Sequence, residues 1–280
     1  VEPIINWAVL QDILRPKFPD QLRRSVNWSD TAVMYNMMAE MERSYTYNQT
    51  DCIPVTDKDT VLDIGCGPGR ISCAIAERAK SVTALDSSES MLSFCAQNAK
   101  KRNLANVHPV LMDWKEAVVG ENIEQHGIVI ASRSVGMQDL KKLNSFAKKY
   151  AVLVCWANAP SIPPILNILF QGTQPEQIQS RSMPPQDRRI GYNVVWNRVY
   201  DMGADPNIRI VKDGFTKNFS GYTEAYAWLR LIRPFEDEYL PVFQNNLAPY
   251  LTEEVDGTVT FRIETKSYVL WWEPLIFTDN

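Results

Sequence analysis

Val61-Leu62-Asp63-Ile64-Gly65-Cys66-Gly67-Pro68-Gly69-Arg70 is the stretch that decides how this chain is read. Residues 60–64 are a short apolar strand, and the strand runs straight into three glycines at alternate positions. Residues 71–79 then repeat apolar side chains at helical spacing. A strand, a glycine turn and a helix in that order let backbone approach a ligand closely at the strand's C-terminal end.

Outward from this stretch the alternation continues. Residues 81–85 are a second strand ending in Asp86, residues 90–101 a helix, and residues 107–111 a third strand ending at Asp113. Residues 127–131 predict a fourth strand, 139–149 a helix and 151–156 a fifth strand. Short, non-alternating apolar strands separated by helices predict a parallel sheet with helices on both faces.

Three kinds of ligand compete for such a loop: a triphosphate, a dinucleotide and S-adenosylmethionine. A phosphate-binding loop needs Gly-Lys-Ser or Gly-Lys-Thr, which is absent. A dinucleotide loop wants a glycine at position 70, where this chain has Arg70. Asp63, two residues before the first glycine, opposes a pyrophosphate but suits an ammonium group. The loop therefore favours a cationic nucleoside without phosphate. Asp86, at the end of the second strand, is placed to accept hydrogen bonds from ribose hydroxyls. Asp113 and Trp114, after the third, offer an acceptor for an adenine amino group and an aromatic face for stacking.

These segments carry a family resemblance. VLDIGCGPGR resembles motif I of the class I S-adenosylmethionine-dependent methyltransferases, VTALDSSESML their second-strand segment, and VLMDW their adenine-binding segment. GIVIASRSVG occupies the place of their fourth strand and active-site edge. The resemblance covers residues 28–157 and implies S-adenosylmethionine as cofactor. It places Asp63, Gly65, Cys66, Gly67 and Gly69 around the methionine part. Asp86 and Ser87 then meet the ribose and adenine edge, and Asp113 and Trp114 the adenine. Ser132 closes the cofactor set, and Trp28 and Tyr35 look like the helix that small-molecule members fold over the cofactor.

The implied reaction is in-line displacement at the sulfonium methyl, in which alignment and exclusion of water do most of the work. Arg133 and Ser134 follow Ser132 where family members place substrate-facing residues. Arg133 is either a structural ion pair or a clamp for an anionic substrate. No residue is singled out as a general base. His108 and His126 are read as non-catalytic, and Cys66 as a backbone contributor. The Asn-Pro-Pro-Tyr or Asp-Pro-Pro-Tyr run of amino-group nucleic-acid methyltransferases is absent; residues 158–161, Asn-Ala-Pro-Ser, are a faint echo in the wrong place.

The rest of the chain frames this core. Residues 1–50 read as amphipathic helices, with Ser29 or Asp30 as an N-cap and Val33, Met37, Met38 and Met41 along one side. Residues 158–256 form a large insertion that opens with a Pro-rich stretch and carries Arg181, Arg188 and Arg189. Within it, residues 192–202, 222–232 and 235–251 read as helices and 208–211 as a strand. Residues 258–263 and 267–272 predict a closing β-hairpin through Glu264-Thr265-Lys266. The tryptophans 156, 196, 228, 271 and 272 are packing residues or a roof for an apolar substrate.

Composition narrows the class. Lys and Arg total 29 against 33 Asp and Glu, net −4, which gives no chain-wide attraction for nucleic acid or anionic lipid. Two histidines exclude a polyhistidine site, and five cysteines without a C-x-x-C pair read as reduced thiols rather than a zinc site. No apolar run reaches the ~18 residues of a membrane span. The opening VEPIINWAVLQDILRP has no basic n-region, so no signal peptide is expected.

The expected fold is thus α/β, a seven-stranded, mostly parallel Rossmann-like sheet with helices on both faces. Residues 1–50 are the helical cap, 51–157 the cofactor-binding core, 158–256 the substrate-covering insertion and 257–280 the hairpin that completes the sheet. The expected function is methyl transfer to a small molecule in the cytoplasm, with no metal, nucleic-acid or membrane partner. A non-catalytic S-adenosylmethionine-binding protein is the alternative. A nicotinamide-dependent dehydrogenase is disfavoured by Asp63 and Arg70.

Overall fold

The computed structural model describes residues 5–14, 28–157, 162–173 and 191–276. Among the described residues, three helices precede the sheet: α1 (Trp7–Leu14), α2 (Trp28–Met41) and α3 (Arg43–Thr50). Strand and helix then alternate through β1 (Thr60–Ile64), α4 (Arg70–Ala76), β2 (Ser81–Asp86), α5 (Glu89–Lys101) and β3 (Val107–Leu111). β4 (His126–Ser132), α6 (Leu140–Phe146) and β5 (Ala147–Trp156) complete the parallel part. After α7 (Ile162–Leu169) and α8 (Tyr192–Asp201) come β6 (Asn207–Phe219), α9 (Tyr222–Arg230), α10 (Leu240–Leu247), β7 (Leu251–Glu253) and β8 (Val259–Trp272).

The sheet has eight strands in the order β3-β2-β1-β4-β5-β8-β6, with β7 pairing β8 off this path. β1 to β5 run parallel, while β8 is antiparallel to both β5 and β6. The chain builds outward from β1 to β3 and then returns to place β4 on the other side of β1. That reversal opens a crevice at the C-terminal ends of β1 and β4, where open α/β sheets bind ligands.

Alternation along the strands sorts residues to the two faces. Leu62, Ile64, Val129 and Leu153 pack with Phe146, Trp114 and Trp272 on one side. Val61, Val82, Ile128, Ile130 and Val152 pack with Ile71 and Ile75 of α4 on the other. The helix starts are capped locally: Met91 N–H donates to Ser88 Oγ at 3.3 Å, and Lys142 N–H to Asp139 Oδ1 at 2.9 Å.

Four expectations are corrected here. Residues 259–272 are one continuous strand rather than a hairpin, because Phe261, Ile263, Thr265 and Ser267 alternate inward without a break. Glu264, Thr265 and Lys266, taken for a turn, contain no turn-forming residue and pair with Gly214, Asp213 and Lys212 of β6. The strand at 208–211 extends to Phe219, so the expected insertion supplies a full edge strand, and the sheet has eight strands rather than seven. The helix at 139–149 stops at Phe146, since Ala147 already pairs with His126 as the start of β5.

Beyond β5, the paired β6 and β8 carry a second apolar cluster, in which Phe215, Phe219, Phe243 and Phe261 meet Met37, Met38 and Met41 of α2. The methionines are core, whereas Val33, read on the same side, is 59% exposed. The Arg181, Arg188 and Arg189 cluster, residues 158–161 and the side chain of Ser29 lie outside what is described.

Candidate functional site

A cavity of about 730 Å³ follows the C-terminal edge of the sheet from β3 to β5, with α2 along one side. It is inside the ~300–1,000 Å³ range of small-ligand sites. Its β1–β2 end is built on the glycine loop. Gly65 and Cys66 donate their N–H groups to Leu85 O at 2.8 and 3.0 Å, which pins the loop to β2. Gly65, Gly67 and Gly69 have φ of +64°, +55° and +82°, the left-handed region that favours glycine. A Cβ on Gly65 would lie 2.6 Å from Ser134 Cβ, and one on Gly69 2.6 Å from Cys95 Sγ, so these two are also held by packing. A Cβ on Gly67 would meet nothing within 4 Å, and that open space faces the cavity.

Two carboxylates frame this end. Asp86 accepts from Gly67 N–H at 2.8 Å and from Ser88 N–H at 2.9 Å, so each oxygen keeps one lone pair for a ligand. Asp63 is 1% exposed and accepts from Ser72 Oγ at 2.5 Å through Oδ2, while Oδ1 is buried without a partner. Burial pushes its carboxyl up to about 6, against the pull of the Ser72 bond and the Arg70 charge. A buried, unpartnered acceptor of this kind suits a cationic donor.

The β4–β5 end is organised by charge pairs. Glu42, 3% exposed beside α2, bonds the Arg133 guanidinium through one oxygen and sits 3.5 Å from Arg70 Nε through the other. Arg133 also donates to Asp213 of β6 and Ser267 of β8, and its guanidinium lies over the ring of Trp156. Arg70, directly after the loop, donates to Gln49 at 2.8 Å and to Thr46 and Ser132 at 3.1 Å. Arg133 has φ of +53°, a conformation costing ~1–2 kcal/mol in a non-glycine residue. The surrounding bonds hold it there.

The structure thus brings Trp28, Tyr35, Asp63, Gly65, Cys66, Gly67, Asp86, Ser87, Asp113 and Ser132 to one cavity, with Gly69 behind the loop. Trp28 and Tyr35 touch edge to face at 5.7 Å, one two-turn step apart on α2. Burial, then the Glu42 charge, raises the Tyr35 phenol above its ordinary range. The Cys66 thiol is pushed well up, by its contact with Cys95 and then by burial, which leaves it a neutral wall.

The remaining residues singled out in the sequence are held as follows. Trp114 borders the cavity but is 3% exposed, packed against Phe146 at 4.9 Å with Lys142 Nζ 4.7 Å above its ring. Trp114 is thus a largely buried wall of the cavity, held by core contacts. Asp113 Oδ1 accepts from Lys115 N–H at 2.9 Å and caps its own turn. Arg133 is an ion-pair residue with both terminal nitrogens engaged, and Ser134 donates its hydroxyl to Ile64 O. His126 is the first residue of β4, at the opposite end of the sheet, bridging Thr83 and Glu124 O at 2.8 Å each. Sequence reasoning missed Glu42 and Asp213. The spacing Tyr35, Met38, Ala39, Glu42 is a helical face and was a usable signal for Glu42.

With this geometry in hand, the range of one sequence match is informative. Residues 61–155 match the family model of the methyltransferase domain, which contains the glycine loop, both framing carboxylates and the β4 edge. Residues 61–155 carry a methyltransferase domain.

Relatives of this methyltransferase domain are partial matches. An uncharacterized protein of Haemophilus influenzae is 32% identical over 133 residues, 46% of this chain and 49% of its own length. A probable cobalt-precorrin-6B C(15)-methyltransferase (decarboxylating) of Methanobrevibacter smithii is 36% identical over 80 residues, 29% of this chain and 42% of its own length. The chain therefore spans less than half the length of these curated relatives. The crystal structure of YjhP from E. coli, 11% identical, superposes with a TM-score of 0.50 over 88% of this chain and 98% of that one, a likeness of fold. Among the described residues, no helix is long and apolar enough to cross a membrane, and no group of His, Cys, Asp and Glu is arranged to hold a metal ion.

Proposed function

We propose that this methyltransferase domain binds S-adenosylmethionine and passes its methyl group to a small molecule in the same cavity. The observation that carries this reading is the unpartnered Oδ1 of Asp63 beside a glycine loop whose only open position is Gly67. Asp63 would take the ammonium of the methionine part, Asp86 the ribose hydroxyls, and the second oxygen of Asp113 the adenine amino group. Met91, Met112 and Ser87 line the remaining wall at that end. When bound, the sulfonium supplies an already activated methyl group.

What the chain itself contributes is alignment and a dry site. Trp28 and Tyr35 of α2 lie over the cavity, and residues 158–256, through β6 and the cluster on α2, would cover the acceptor side. Among the described residues, no side chain at the acceptor end is a ready base. The thiols of Cys66 and Cys155 and the Tyr35 phenol all hold their protons more tightly than usual, so the acceptor must present its own lone pair. The cavity volume argues against the filled site of a non-catalytic binding module. Five free cysteines fit a reducing cytoplasm.

Calorimetric titration with S-adenosylmethionine, S-adenosylhomocysteine and NAD in parallel tests the reading. Heat from both adenosyl compounds and none from NAD supports it. Heat from NAD alone, or silence from all three, overturns it.

A further inference from the structure

Beyond the cofactor end, the charged side chains around the cavity form a closed set. Glu42 and Asp213 carry two negative charges, Arg70 and Arg133 two positive ones, and they bond to one another. Arg133 engages Glu42 through one terminal nitrogen, Asp213 and Ser267 through the other, and covers Trp156 with a face. Its remaining donor, Nε–H, and the Trp156 indole N–H are buried without acceptors. Both Glu42 oxygens are engaged as well. An anionic acceptor would therefore have to displace a buried carboxylate from Arg133, and a cationic one would have to displace a guanidinium from Glu42. Breaking such a buried pair is strongly unfavourable. Among the described residues, Tyr35, Met38, Ala39 and Cys155 line this end beside the charge set, with Val135, Met137 and Gln138 adding apolar and neutral polar surface.

We propose that Glu42 is a specificity-determining residue, which by neutralising Arg133 reserves the acceptor end for an uncharged, flat, largely apolar molecule. This rests on the methyltransferase reading above and adds the acceptor class to it. Arg133's left-handed backbone, held by bonds to three separate elements, fixes the guanidinium in the pair instead of leaving it free to meet substrate.

The test uses the whole chain saturated with S-adenosylhomocysteine, whose own binding is measured first and judges the parent reading separately. Naphthol, its ring carboxylate and its aminomethyl derivative are then titrated as neutral, anionic and cationic probes of one shape. Naphthol should bind at least about tenfold tighter than either charged probe, the scale of a charged hydrogen bond. Glu42→Gln leaves one positive charge uncompensated and should raise affinity for the carboxylate by about tenfold. Asp213→Asn does the same from the other side of Arg133 and serves if Glu42→Gln does not fold. The proposal is overturned if a charged probe matches naphthol on the native chain, if none of the three binds, or if a folded variant leaves carboxylate affinity unchanged. Should S-adenosylhomocysteine fail to bind, the parent reading falls, and the same three probes on the free chain show only which charge class this end of the cavity takes.

Discussion

Ser72 donates its hydroxyl to Asp63 Oδ2 at 2.5 Å and leaves the other oxygen of that carboxylate buried and unpaired. Burial outweighs the bond, so the Asp63 carboxyl rises from 3.8 to about 6. Between those values the folded chain holds a proton that the unfolded chain has released. Its contribution to stability is thus full below 3.8 and is lost as pH rises through about 6. At ~1.4 kcal/mol per unit the loss is about 3 kcal/mol. Denaturant melts of the ligand-free protein should show this acid-to-neutral decline, and Asp63→Asn should flatten it. S-adenosylhomocysteine affinity should move the opposite way, rising with pH as the carboxylate ionises and falling in the variant.

Asp86 and Trp114 should separate binding from packing. Asp86→Ala removes a ligand acceptor and the tie to Gly67 N–H, and should weaken S-adenosylhomocysteine binding by about 1.5–3 kcal/mol. Trp114→Phe should lower the melting temperature, because the indole fills core against Phe146, while calorimetric affinity stays close to native. A large affinity loss in Trp114→Phe would restore the stacking role.

The three loop glycines should not respond alike. Gly67→Ala meets no atom within 4 Å and should cost only the backbone strain of ~1–2 kcal/mol in folding, with a clear loss of cofactor affinity. Gly69→Ala adds a Cβ 2.6 Å from Cys95 Sγ and should be the more destabilising of the two in chemical denaturation. Equal costs would mean that α5 yields and that packing does not select Gly69.

Arg133 is expected to act on stability first. Arg133→Met strands Asp213 and half of Glu42 in the interior and should cost about 3–5 kcal/mol. Adding Asp213→Asn should recover most of that loss, because Glu42 then keeps Arg70 as its partner and no buried charge is left unmatched. Urea midpoints of the single and double variants measure both.

How much was legible depends on how local the cause is. The glycine loop, the acidic ends of β1 and β2 and the strand–helix alternation are short-range features, and all of them were readable from VLDIGCGPGR outward. The single strand at 259–272 was misread because charged Glu264 and Lys266 look like a turn, although their neighbours keep alternating inward. For Trp114, a sequence shows an aromatic residue beside the site but not which wall its ring packs on.

By itself the sequence determined the parallel strands β1 to β5, the glycine loop and the carboxylates beside it, since backbone freedom at glycine and the period of apolar residues act within a few positions. Only the tertiary structure decided what Arg133 is for. Its partners Glu42 and Asp213 lie 91 and 80 residues away, and Coulomb attraction between buried groups depends on distance in space, about which sequence separation is silent.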